Sequence, residues 1–167
     1  MATKTLLSEE EYLSTSFEHD PEYRDGELVE RSMPTFRHGK TQGLLFAAFL
    51  GMRSSFPLHP CVETRIRVRP GRYLVPDVAV FLGAEPPEVP DTPPLVAIEI
   101  LSADDRMPDV LEKLGEYHAW GVTHIWVVCP KNLWMYAYDG DGGLARVQSL
   151  KVPELDFELQ PADVFGV

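Results

Sequence analysis

The sequence predicts an α/β protein built on a mixed central sheet, and three observations carry that prediction. Apolar, β-branched runs at residues 73–81 ("YLVPDVAVF"), 94–102 ("PLVAIEILS") and 123–129 ("THIWVVC") read as strands. Between the second and third lies "DDRMPDVLEKLGEYHAWG", whose apolar spacing is helical. A strand, a helix and a strand in that order predict a parallel crossover from residue 94 to 129. Asp25-Gly26 between two short runs is a hairpin signal, so antiparallel pairing is expected as well.

Each element has a local reason. Ser8 followed by Glu11 forms a capping box and opens a short helix carrying Tyr12, Leu13 and Phe17. The N-terminal hairpin follows at "EYRDGELVER". After Pro34, "FRHGKTQGLLFAAFLGMRSSF" reads as a helix with Leu44, Leu45, Ala48, Phe49 and Met52 on one stripe, ended by Pro57 and Pro60. Three strands are then expected in succession, "CVETRIRVR", "DVAVF" and "LVAIEIL". The Pro-rich "GAEPPEVPDTPP" between the last two is a loop. In the following helix Pro108 suits the first turn and Gly121 the C-terminal stop. "THIWVVC" reads as a strand buried on both faces. "NLWMYAYDGDGGLARVQSL" is a C-terminal hairpin turning near Gly140 to Gly143, and "PADVF" a last helical turn. No repeat or second domain is visible, so residues 1–167 are expected to form one domain.

Composition narrows the function. An apolar share of 44% and a charged share of 25% are those of an ordinary globular chain. The longest apolar run, residues 43–52, is about half of the ~20 residues that a membrane span needs. The N-terminus turns acidic too soon for a secretion signal. Cys61 and Cys129 stand far apart with no second ligand nearby, so both are expected as reduced, buried thiols of a cytoplasmic protein. The net charge of −11 opposes non-specific binding to nucleic acid or anionic membrane. One basic strip runs against that balance: Arg65, Arg67 and Arg69 alternate along a strand, with Arg72 just beyond. It reads equally as a nucleic-acid contact or as the charged, solvated face of an edge strand.

Two carboxylates stand out because each is set into an apolar strand. Glu99 shares a side with Leu95, Ala97 and Leu101; Asp77 shares one with Ala79 and Phe81. An ionised carboxylate away from water needs a partner or a metal. If the two strands are antiparallel neighbours, both acids reach one point, and the small Ala79 and Ala97 leave room there. The expected cation is Lys113, at the border of the stripe Val110, Leu114, Tyr117, from which its stem can reach the strand ends. Two acids and a lysine suit a divalent cation held by oxygen ligands and a water activated beside it. The structural alternatives are an Arg67–Glu99 ion pair in the core and a surface pair of Lys113 with Asp109.

These residues carry a resemblance. Pro76-Asp77 on one strand and an acid on the next resemble the PD-(D/E)XK nuclease superfamily, whose fold is a restriction-endonuclease-like mixed sheet flanked by helices. More closely, "YRDGELVE", "RHGKTQGLL", "VPDVAVF", "VAIEILSADDR" and "DVLEKLGEYHAWGVTHIWVV", with the closing hairpin, resemble in order the Uma-type family of putative restriction endonucleases. The resemblance implies Asp77 and Glu99 as ligands of Mg²⁺ or Mn²⁺, with the main-chain carbonyl of Ile100 a candidate third ligand. It implies Lys113 as the catalytic lysine, moved onto the helix from the usual place, here Leu101. It implies Glu27 as an acid completing the metal's water shell, and His38 and Tyr117 as supporting polar residues. "SADDR" departs from the more usual Ser-Pro-Ser/Thr after the strand.

The expected activity is hydrolysis of DNA phosphodiester bonds by a metal-activated water. A homodimer or larger assembly is expected, joined through the aromatic hairpin Trp134 to Tyr138, with two basic strips sharing one groove. The rivals are a catalytically inactive binding or regulatory module on the same fold, favoured by the acidity, and a hydrolase of small phosphate esters.

Overall fold

The structure, a computed structural model, describes residues 6–141 and 143–167. Residues 1–5, within the N-terminal stretch read above, and Gly142, within the expected turn, lie outside the described residues.

Local chemistry sets the first elements. Helix α1 (Glu9–Ser14) opens on the expected capping box: Ser8 Oγ accepts from Glu11 N at 3.1 Å and Glu11 Oε2 from Ser8 N at 2.7 Å. Strands β1 (Glu22–Arg24) and β2 (Glu27–Val29) form the hairpin. Asp25 and Gly26 both adopt positive φ, 47° and 96°, as a turn of type I′ requires. Helix α2 (Phe36–Gly51) is capped by Thr35, whose hydroxyl accepts from His38 N, and ends in a 3-10 turn before Pro57.

The central sheet has six strands in the order β10-β9-β8-β7-β6-β3. These are β3 (Leu58–Val62), β6 (Val78–Leu82), β7 (Val96–Ile100), β8 (His124–Cys129), β9 (Trp134–Tyr138) and β10 (Leu144–Val147). Among the described residues only β7 and β8 pair in parallel, joined by helix α3 (Met107–Trp120) as the crossover rule requires. Gly121 ends α3 with φ 109°, the left-handed cap anticipated from the sequence. Pro60 is tolerated because β3 is an edge strand.

Strand alternation divides the core. Val78, Val80, Val96, Ile98 and Ile100 face α2 and the C-terminal helix α4 (Pro161–Phe165), whose existence "PADVF" foretold. Ala79, Phe81 and Ala97 face α3 through Leu114 and Tyr117. Each fully buried aliphatic side chain here contributes about 1.5–3 kcal/mol.

Several details depart from the sequence expectation. "CVETRIRVR" is not one strand: Glu63, at φ 49°, turns the chain, so β3 joins the large sheet while β4 (Ile66–Arg69) joins a smaller one. There β4 pairs with an unforeseen strand, β5 (Arg72–Leu74), in the order β2-β1-β5-β4. Helix α3 begins at Met107 rather than 104, and a second C-terminal hairpin, β11 (Leu150–Val152) with β12 (Phe157–Leu159), follows the predicted one. Cys61 and Cys129 are free thiols, half-buried rather than buried. Among the described residues no helix is long and apolar enough to cross a membrane.

Candidate active site

The β6–β7 register positions the two acids. Val78 stands opposite Ile98 in this antiparallel pair, so Asp77, one residue before β6, falls opposite Glu99. Glu99 faces α3, while Asp77, at the end of the sheet, is also reached from α2 through His38. From α3 Lys113 reaches in: its Nζ is 2.9 Å from Glu99, 3.1 Å from the Val75 carbonyl and 2.6 Å from Glu22. One turn later the Tyr117 hydroxyl donates to Glu99 Oε1 at 2.7 Å. Asp77 is held from three directions. Its Oδ2 accepts from Ile100 N at 2.6 Å, and its Oδ1 lies 3.2 Å from His38 Nε2 and 3.3 Å from Arg31 Nη2.

Burial and charge set opposite protonation tendencies in the two acids. Burial pushes the Asp77 carboxyl up, but the His38 hydrogen bond, the Lys113 charge and the Ile100 N–H together hold it below the usual range. Burial pushes Glu99 up to about 7; Lys113 opposes this, while the charges of Asp77 and Glu22 add to it. Lys113 is pulled down by burial, yet the Glu22 and Glu99 carboxylates raise it above its ordinary value. Burial likewise lowers His38, and Asp77 outweighs it to give a raised value. The buried His38 Nδ1 has no hydrogen-bond partner among the described residues.

Glu27 and Glu22 share one face of the hairpin, but Glu27 is exposed at the turn end, two cross-strand pairs from Glu22. Glu22 lines the cleft; Glu27 does not. The four arginines do not form a strip. A bulge between Arg67 and Arg69 breaks their alternation, and each finds its own partner. Arg65 donates to the Tyr12 and Leu13 carbonyls, Arg67 pairs with Glu9, and Arg69 with Asp25. Arg72 is buried, with Nε 2.7 Å from Glu116 and Nη2 3.8 Å from Glu22. Glu99 therefore pairs with Lys113 and not Arg67, and Lys113 with Glu22 and Glu99 rather than Asp109.

Sequence reasoning passed over Glu22 and Arg31. The strand "EYR" held a signal for the first, since Glu22 and Arg24 alternate onto the face that meets α3. For Arg31, on an irregular segment, the sequence held none.

The site opens into a cleft of about 380 Å³ lined also by Glu30, Asp104, Asp105, Asp109 and Glu112. Among the described residues no three His, Cys, Asp or Glu side chains are arranged to hold a metal by themselves. Mg²⁺ asks for less: one or two carboxylates, completed by water and substrate phosphate. Asp77 and Glu99 offer two hard oxygen donors; burial is the main cause of the raised Glu99 pKa and the Asp77 charge adds to it, and a bound divalent cation would offset both. The donor set fits such an ion.

The fold is similar to a solved one, the crystal structure of a "putative nuclease belonging to DUF820" from Anabaena variabilis ATCC 29413. The TM-score is 0.82 at 20% identity, covering 96% of this chain and 98% of that one. No curated protein matches the chain. The family described as "Putative restriction endonuclease", Uma2, matches residues 10–166. With residues 10–166 matched, nearly its whole length, the chain belongs to the Uma2 family.

Proposed function

We propose that this protein is a Mg²⁺- or Mn²⁺-dependent endonuclease that hydrolyses phosphodiester bonds of DNA. The observation that carries the reading is the opposition of Asp77 and Glu99 across β6 and β7, with the Lys113 ammonium on Glu99 at the floor of an open cleft. Asp77, Glu99 and the Ile100 carbonyl would hold the cation. When bound, it supplies Lewis-acid polarisation of the phosphate and a water of lowered pKa.

The chain's own residues do the rest. Lys113, fixed by Glu22 and the Val75 carbonyl, keeps a positive charge beside Glu99, where it can orient the attacking water and offset the negative charge developing on phosphorus. Tyr117 fixes the Glu99 carboxylate from its other side. His38 and the Ile100 N–H hold Asp77 ionised and aimed. Glu22 takes the supporting place first assigned to Glu27, through Lys113. The reading includes a cytoplasmic homodimer joined near the β9–β10 hairpin, where Leu133 and Trp134 are exposed at the end of the sheet.

Plasmid nicking with Mn²⁺ tests it, comparing wild type with Asp77→Asn, Glu99→Gln and Lys113→Met. Each variant is expected to lose about 10²–10³-fold in rate. Variants that nick as fast as wild type would show that the activity comes from elsewhere.

A further inference from the structure

A phosphodiester entering this acid-lined cleft needs a cation aimed at its floor, and the neighbouring cations are largely committed. Arg72 gives Nε and Nη2 to Glu116 at 2.7 and 2.8 Å and Nη1 to the Tyr23 carbonyl. Lys113 is shared among two carboxylates and a carbonyl. Arg31 differs. It stands on the irregular segment between β2 and α2, lines the cleft, and its side chain is 17% exposed. Its ion-pair approaches through Nη2 are 3.3 Å to Asp77 and 3.9 Å to Glu63, longer than the ~2.7–2.9 Å of strong charge-assisted bonds. Among the described residues its hydrogen bond is made through Nη2, and none is seen from Nε or Nη1.

We infer that Arg31 is a phosphate-binding residue, resting on Asp77 until a phosphodiester presents a non-bridging oxygen to its unused donors. The planar guanidinium matches a phosphate with two parallel hydrogen bonds. Its departure does not strand Asp77, which keeps the Ile100 N–H and His38. A cation taken up at Asp77 would compete with Arg31 for that carboxylate, so metal and phosphate together would favour the transfer. The inference rests on the nuclease reading above.

The test compares wild type, Arg31→Met and Arg31→Lys, each first shown to melt as a folded protein. Affinity for a short fluorescein-labelled duplex is read by anisotropy with Ca²⁺ present, across a salt series. Arg31→Met should bind about 10- to 100-fold more weakly. Its plot of log affinity against log salt should be shallower by about 0.9, one phosphate contact. Arg31→Lys should keep the slope and lose less affinity. Without DNA, Mn²⁺ should bind Arg31→Met more tightly than wild type, because Asp77 has lost a competing cation. If the slope is unchanged while Mn²⁺ binding rises, Arg31 only neutralises Asp77 and the inference is wrong. Equal DNA affinity in wild type and Arg31→Met overturns it too, leaving the nuclease reading intact. A wild type that binds no duplex at low salt overturns both.

Discussion

At the scale of single residues, Glu99 is the carboxyl whose ionisation the fold opposes. Burial lifts it to about 7, against about 4.3 for a carboxyl in an unfolded chain. A carboxyl with a raised folded pKa binds its proton more tightly folded than unfolded. Its contribution to stability is fully present below about pH 4.3 and is lost as pH rises through 7. In EDTA, the stability of wild type relative to Glu99→Gln should therefore fall by roughly 2–3 kcal/mol between about pH 5 and pH 8. Urea melts at both pH values read this directly, and a difference that stays constant removes the strained-carboxylate account. Asp77, Glu99 and Lys113 could be found from the sequence because each breaks a pattern: an acid in an apolar strand, a lysine at the edge of an apolar helical stripe. Arg31 breaks none. It lies outside every element, where periodicity says nothing.

At the scale of elements, the structure joins α3 to the small sheet through charge. Arg72, on β5, gives two donors to Glu116 on α3 and approaches Glu22 on β1. Its side chain is 2% exposed. Replacing it by Met leaves Glu116 and Glu22 without that cation and should cost about 3 kcal/mol. Arg69 makes an equally well-formed pair with Asp25, but the two side chains are 51% and 61% exposed. Arg69→Met should cost less than about 1 kcal/mol. Denaturant titrations compare the two, and equal losses would mean that Arg72 ties nothing together. Alternation along "RIRVR" could not separate these arginines. A positive φ at Glu63 and a bulge after Arg67 decide their directions, and neither leaves a trace in a two-residue period. The longer pieces were legible for the converse reason: β7, α3 and β8 each run far enough to show a period, and the right-handed crossover then leaves one parallel pairing. Strands β1, β2 and β5 have three residues each, too few to show any.

At the scale of the whole molecule, the net charge of −11 and the acid-lined cleft constrain how the proposed DNA substrate could be held. Besides the buried Arg72, four cations line the cleft: Arg24, Arg31, Arg106 and, at its floor, Lys113. If these are the phosphate contacts, each releases about 0.9 counterion on a duplex, so log affinity should fall with log salt at a slope no steeper than about −4 for one chain. A homodimer using both clefts on one duplex should double that to about −7. Binding should also be weak in EDTA and strengthen when Mn²⁺ is added, since a cation at Asp77 and Glu99 reverses the local sign of the field. Light scattering supplies the mass against 18.8 kDa for one chain. A dimeric mass with the steep slope supports paired clefts on one substrate. A monomeric mass with a slope steeper than −4 would mean that cations outside the cleft, such as the exposed Arg69, touch the backbone. A monomer with no salt dependence would argue against a polyanionic substrate and move the assignment to a small phosphate ester.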